Sequence, residues 1–323
     1  MATGTDMDTP PMAPARSDSQ GTAVSVVIPT VGRPELVRAV RSARLQDHKN
    51  IEIIVVVDAA QESVDLANDV HDLADKVIWT GGGRRGAAAR NLGVRAAGGD
   101  WIAFLDDDDE WLPGKISAQL EHVVGAGQLA VVSCRQVQFD PKDGSTSGPI
   151  PVMIKNPGED VAEYLFLNRA PSAGRASMYT SSLMCSREVA EQVSWDETLR
   201  RHQDWDWLIR ASDLPGVTVT QVPEVLVRIQ TGSVGSISAT QDWEASLAWA
   251  LRVLRPRSAQ VYVDFLAAQT LRYAIGARSL RGVGTVVRAI FDGRTLPGVG
   301  PLIIGLAGVL PRRRIEAIIT RFK

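Results

Sequence analysis

The sequence predicts an α/β fold: a Rossmann-like, mainly parallel sheet flanked by helices, with a helical C-terminal extension. Three observations predict it. Short β-branched runs stand at 23–28 (AVSVVI) and 51–57 (IEIIVVV), apolar residues recur at helical spacing between such runs, and a further apolar run at 101–105 ends abruptly in Asp106–Asp109. Strands alternating with helices require right-handed crossovers and parallel pairing.

The first strand, 23–28, leads through Pro29 to a turn at Thr30–Arg33, and Pro34 opens a helix with Leu36, Val37, Val40 and Leu45 on its apolar side. The second strand, 51–57, ends at Asp58; residues 62–75 read as an acidic helix and 76–79 (KVIW) as a third strand. A glycine-rich turn at 81–86 (GGGRRG) precedes a helix at 87–97, and 101–105 forms the fourth strand. Beyond Pro113 the pattern predicts strands at 129–133, 135–139, 177–185, 217–222 and 225–229, a loop over 140–151, and helices at 159–168, 186–193 and 204–212. From about 241 onward the pattern is helical, so the chain divides into a leader at 1–22, an α/β domain at 23–240 and a helical region at 241–323.

The 323 residues are 45% hydrophobic and 22% charged with a formal charge of −2, the balance of a globular protein and not of a nucleic-acid binder. Cys134 and Cys185 lack metal-type spacing and fit a reducing compartment. Residues 1–22 carry Asp6, Asp8 and Asp18 among prolines, which is a disordered leader and not a signal peptide. No apolar run reaches the roughly 18 residues that span a bilayer. The expected location is cytoplasmic, with peripheral contact at the inner face of the plasma membrane through 296–314, where an apolar stretch meets Arg312–Arg314.

In parallel sheets, ligands bind outside the carboxyl ends of the strands. Thr30, Asp58 and Asp106–Asp109 all occupy such ends. Four adjacent carboxylates repel one another and raise their own pKa values unless a cation sits among them, and a hard divalent cation prefers oxygen ligands. A phosphate-bearing ligand could complete its shell.

The segments VSVVIPTVGRPELVRAV (24–40), IEIIVVVD (51–58), GAAARNLGVRAAGGDWIAFLDDDDEWLPGK (86–115) and HQDWDWLIR (202–210) resemble family 2 glycosyltransferases, over about residues 23–235. The resemblance implies a GT-A fold and an inverting transfer from a nucleotide-sugar donor, UDP- or dTDP-linked, to a glycan or lipid-linked acceptor, assisted by Mn²⁺ or Mg²⁺. It implies that Asp58 contacts the base, that Arg84 or Arg85 with Arg90 approaches the donor, that Asp106 lies near ribose and metal, that Asp108 ligates the metal with Asp109 in support, and that Asp204 is the general base. Pro29, Thr30 and Asp107 fall on the donor side; Trp111, Gln203 and Trp207 are acceptor-side candidates. The chemistry agrees: the leaving diphosphate needs neutralising, which a metal and arginines can do, and the acceptor hydroxyl needs a carboxylate to take its proton.

Two positions depart from the family pattern. Gln203 stands where the family often has Glu, which leaves Asp204 as the base. Gln230 stands near a common His, so the metal is held by Asp108 and diphosphate alone or with help from His202. A nucleotidyltransferase would carry a glycine-rich phosphate loop after its first strand, where this chain has PTVGRPE (29–35). An aspartyl-phosphate phosphatase would leave Asp58 and Asp204 without a role, and a non-catalytic sugar-nucleotide-binding subunit would bind without turnover.

Overall fold

A computed structural model describes residues 21–123, 129–167, 176–232 and 240–306. The expected leader over 1–20 and the basic cluster at Arg312–Arg314 lie outside the described residues. The chain runs β1 (Val24–Thr30), α1 (Leu36–Arg44), β2 (Ile51–Val57), α2 (Asn68–Leu73), β3 (Lys76–Trp79), α3 (Arg85–Ala96), β4 (Trp101–Phe104), β5 (Glu110–Trp111), α4 (Lys115–Val123), β6 (Ala130–Asp140), β7 (Ser145–Thr146), α5 (Val161–Phe166), β8 (Met184–Ser186), α6 (Arg187–Gln192), α7 (Gln203–Ser212) and β9 (Thr218–Gln230). Five further helices follow: α8 (Trp243–Val253), α9 (Ala259–Phe265), α10 (Leu271–Gly276), α11 (Leu280–Asp292) and α12 (Val299–Leu306).

One sheet carries the fold, in the order β3-β2-β1-β4-β8-β6-β9-β5, with β7 paired to β6. The first four strands in this order are parallel, as predicted. β8 runs antiparallel to both β4 and β6, so the sheet is mixed. The pleat explains why β1, β2 and β4 read as unbroken apolar runs. Val27, Ile54, Val56, Ile102 and Phe104 enter the core on one face, and Val26, Ile28, Ile53, Val55 and Ala103 enter the core on the other. Helices α1, α2 and α4 cover the second face, and α3, α5, α6 and α7 the first. At Gly93 α3 comes so near β1 that an added Cβ would collide with the Val27 side chain.

Four local expectations change. The strands predicted at 129–133 and 135–139 are one strand, β6, and those at 217–222 and 225–229 are one strand, β9. Their register shifts where Pro223 and Glu224 are passed over between the Val222 and Val225 pairings, because proline offers no N–H to the ladder. The strand predicted at 177–185 is a 3₁₀ turn at Thr180–Ser182 followed by the short β8. Within 62–75 only Asn68–Leu73 is an α-helix.

The C-terminal helices share the first-face core: Trp249, Val261, Phe265, Val286 and Ile290 belong to the same cluster as Phe104 and Trp207. A buried polar tie reinforces this. Asp206 on α7 accepts from Arg210 Nε at 2.8 Å and from Trp249 Nε1 on α8 at 3.0 Å, and it pairs with Arg252. Among the described residues no helix is long and apolar enough to cross a membrane.

Candidate active site

The carboxyl ends of β1, β2 and β4 meet as the strand-end rule requires. At the end of β1, Thr30 Oγ1 donates to Asp107 Oδ2 at 2.6 Å and accepts from the Gly32 amide, whose φ of +86° favours glycine. Arg33 donates to Asp107 Oδ1 at 2.8 Å and stands 3.8 Å from Asp108 Oδ2. Asp107 is therefore a buried clasp between β1 and β4. Burial pushes its carboxyl up, the Thr30 hydroxyl and Arg33 pull it down, and neighbouring Asp108 and Asp106 push it up again, for a net rise.

Asp109 is also buried. It accepts from Ser181 Oγ at 2.5 Å and from the Gln230 amide at 3.0 Å. Burial and the charges of Asp106 and Asp108 hold its carboxyl well above the usual range. Arg38 closes the cluster from α1, donating to the Asp108 carbonyl and to Gln230 Oε1, both at 2.7 Å. Gln230 thus reaches the acids through its backbone, while its side chain faces Arg38.

At the end of β2, Asp58 accepts from Thr80 Oγ1 (2.5 Å) and from the amides of Arg84 (2.9 Å) and Arg85 (2.5 Å). Partial burial raises this carboxyl, but those three hydrogen bonds and the Arg84 charge outweigh it and hold it below the carboxylate range. The glycine turn is folded onto Asp58, with Gly81, Gly82 and Gly83 at positive φ and Arg85 itself at φ 68°. Arg84 remains largely exposed, 3.5 Å from Glu197.

Arg90 joins the halves of the site. It projects from α3, lies over the Trp195 ring and is buried. Its guanidinium donates to Asp106 Oδ1 at 2.5 Å and approaches Gln203 Oε1 at 3.4 Å, while its Nε–H has no acceptor among the described residues. Asp204 follows Gln203 in the first turn of α7, accepting from the Trp205 amide at 2.9 Å. Burial pushes the Asp204 carboxyl up to about 6; the Trp205 amide and Arg90 oppose this and Asp106 adds to it. The fold therefore brings Asp106, Arg90, Gln203 and Asp204 together from β4, α3 and α7.

Three aromatic or imidazole assignments are corrected. Trp111 is 2% exposed, donates Nε1–H to the Ser181 carbonyl at 2.8 Å and carries the Lys115 ammonium 4.0 Å from its ring centre. Trp207 is fully buried, stacked on Trp195 with its Nε1–H on the Val193 carbonyl. Neither ring has a face for an acceptor sugar. His202 is buried against Trp205, its Nε2 3.1 Å from Ser246 Oγ, which makes it a packing residue of the α7–α8 contact and not a metal ligand. Burial and Arg201 hold its ring well below the usual imidazole pKa, hence neutral.

Sequence reasoning missed Arg33, Arg38 and Ser181. Arg33 lies three residues past the end of β1, in the same strand-end turn as Thr30, and that position was legible. Ser181 lies in a 3₁₀ turn inside a stretch with strand-like composition, which carries no signal. Among the described residues no group of three or more His, Cys, Asp or Glu side chains is arranged to hold a metal unaided.

A mixed α/β sheet with helices on both faces, acids at the end of β4 and an appended helical region is an architecture of the GT-A type. The chain belongs to glycosyltransferase family 2, whose model, glycosyl transferase family 2, matches residues 25–181. It is 30% identical over 279 residues to the amylovoran biosynthesis glycosyltransferase AmsB of Erwinia amylovora, covering 83% of this chain and 90% of that protein. Over 99 residues it is 37% identical to the Escherichia coli UDP-Glc:alpha-D-GlcNAc-diphosphoundecaprenol beta-1,3-glucosyltransferase WfaP, covering 30% of this chain and 39% of WfaP. Among solved structures, TarS 1–349 of S. aureus in complex with UDP-GlcNAc superposes with a TM-score of 0.57 over 92% of this chain and 83% of that one, at 14% identity. The longer TarS chain is covered over 54% of its length.

Proposed function

We propose that this glycosyltransferase moves a sugar, with inversion, from a UDP- or dTDP-linked donor to a hydroxyl of a glycan or lipid-linked acceptor in envelope polysaccharide synthesis. One observation carries the reading: Arg90 gathers Asp106, from the acid end of β4, and Gln203 beside Asp204. The donor diphosphate lies by this reading between the acid cluster and Arg90, with the acceptor hydroxyl before Asp204. The acceptor oxygen attacks the anomeric carbon from the face opposite the leaving group, its proton passes to the Asp204 carboxylate, and the nucleoside diphosphate departs with the bonding electrons. Arg90 balances charge on the leaving group. Asp58 has three of its roughly four lone-pair sites taken by the glycine turn, which leaves Oδ2 one acceptor site for the ring N–H of uracil or thymine.

The donor set suits Mn²⁺ or Mg²⁺. It is all oxygen, and Asp109 is held above its usual range by burial and by the charges of Asp106 and Asp108, a conflict that a divalent cation relieves. Asp108 is its direct ligand in this reading, Asp106 lies beside it, and the diphosphate supplies further oxygens. When bound, the cation neutralises the developing diphosphate charge. AmsB and WfaP support polysaccharide and lipid-diphosphate chemistry, and the UDP-GlcNAc complex of TarS supports the donor class.

Titration calorimetry with UDP, dTDP and GDP, with and without Mn²⁺, tests this on wild type and Asp108→Ala. Metal-dependent binding of UDP or dTDP, weakened at least tenfold in the variant, is the expected result. Equal binding by both proteins removes Asp108 from the metal site. No nucleotide binding by folded wild type removes the donor site.

A further inference from the structure

Helices α11 and α12 each carry exposed apolar residues that no other element covers among the described residues. Helix α11 buries Gly282, Val286 and Ile290 against the core. Leu280, Gly284, Val287 and Phe291 are spaced 4, 3 and 4 residues apart, which aligns them as one stripe on another side of the helix. Leu280 is 90% exposed and Phe291 70%, and at Gly284 an added Cβ would meet only open space. Leu296 in the following turn and Val299 at the start of α12 are 77% and 74% exposed, and α12 continues with exposed Ile303 and Leu306, spaced 4 and 3 on from Val299. Single exposed leucines are ordinary; two successive helices each with an aligned exposed stripe are not.

Charge identifies what covers the surface. Arg281 and Arg288 stand a quarter turn from the α11 stripe, both exposed and without an ion pair among the described residues, and Arg294 follows in the same state. From Arg278 to Leu306 the described residues hold four Arg and no Lys against one acid, Asp292, a net +3 in a chain whose total is −2. A self-association face would set these like charges against each other across a twofold axis. An anionic lipid surface meets both features: its phosphates pair with the arginines, and its acyl boundary takes up the apolar stripes. We infer that α11 and α12 form an interfacial docking face for an anionic bilayer. This rests on the proposed lipid-linked acceptor for its purpose, since it would hold the active site where such an acceptor is presented, but it stands or falls by a separate measurement.

That measurement is co-sedimentation of the full chain with phosphatidylcholine vesicles containing or lacking phosphatidylglycerol, without donor or acceptor. Three proteins are compared: wild type, Leu280→Glu/Phe291→Glu and Arg281→Glu/Arg288→Glu. All changes are at exposed positions, and circular dichroism and UDP binding confirm intact folds and donor sites. The expected result is wild-type binding to the phosphatidylglycerol vesicles alone, lowered at least tenfold in both variants. No wild-type binding, binding indifferent to phosphatidylglycerol, or variants that bind as wild type does would overturn the inference. So would light scattering that shows a wild-type dimer made monomeric by Leu280→Glu/Phe291→Glu without vesicle binding. UDP binding is read on the same samples, so failure of the docking face and failure of the donor site are distinguishable.

Discussion

Asp204 shows how a catalytic assignment and a stability cost attach to one carboxylate. Burial raises its pKa from 3.8 to about 6. The folded state then holds the proton more tightly than the unfolded chain, so the stability penalty of the ionised form grows between pH 4 and 6 and is complete above that window. Asp204→Asn is accordingly expected to be more stable than wild type by about 1–3 kcal/mol at pH 8, with the gain absent below about pH 4. Denaturant titrations at the two pH values check this. Equal stability at pH 8 would mean that the carboxylate is not buried as described. Arg90 is the second residue to separate: Arg90→Ala leaves Asp106 without its 2.5 Å partner and is expected to weaken UDP binding about tenfold or more, whereas a structural role alone would lower melting temperature and leave affinity intact.

The elements divide by how much of their reason lies in adjacent sequence. β1, β2 and β4 are buried on both faces, so β-branched runs mark the first two and an apolar run the third, and their ends deliver Thr30, Asp58 and Asp106. Helix α3 was legible as the segment after the glycine-rich turn, but its closeness to β1 was not. Gly93→Ala is expected to cost about 1–3 kcal/mol by driving a methyl group into Val27, with lost donor binding only if α3 carries Arg90 away. A variant as stable as wild type would contradict that packing. The elements beyond Pro113 were less legible because their pairing is not local. β6 and β9 pair over their length although widely separated in sequence, with a shift at Pro223 that composition reads as two strands. The Trp residues misled in the other direction: aromatic residues near a motif suggest stacking platforms, and only the fold shows Trp111 and Trp207 to be closed in by Lys115 and Trp195.

Across the whole molecule, α7 links the proposed base to the architecture. Its first turn presents Asp204, and two residues on Asp206 binds Trp249 and Arg252 of α8. Asp206→Ala leaves the Trp249 Nε1–H without its acceptor and is expected to destabilise the fold by about 1–3 kcal/mol, since Arg210 and Arg252 are partly exposed. A loss below 1 kcal/mol would show that the helical region is held without this tie. Because Trp249, Phe265 and Val286 share one core with Phe104, removal of residues 241–323 should yield an aggregating fragment, which light scattering would reveal.

The most direct test of the central claim is the pH dependence of kcat/KM for release of nucleoside diphosphate, from the sugar donor whose nucleotide binds, by wild type and Asp204→Asn. A base that must be ionised predicts a wild-type rate that rises with pH through an inflection at about 6. In Asp204→Asn the rate should fall by about 10²–10⁴-fold and lose that inflection, with nucleotide affinity unchanged. An Asp204→Asn protein that turns over at the wild-type rate, or keeps the inflection, would contradict the assignment of Asp204 as the base.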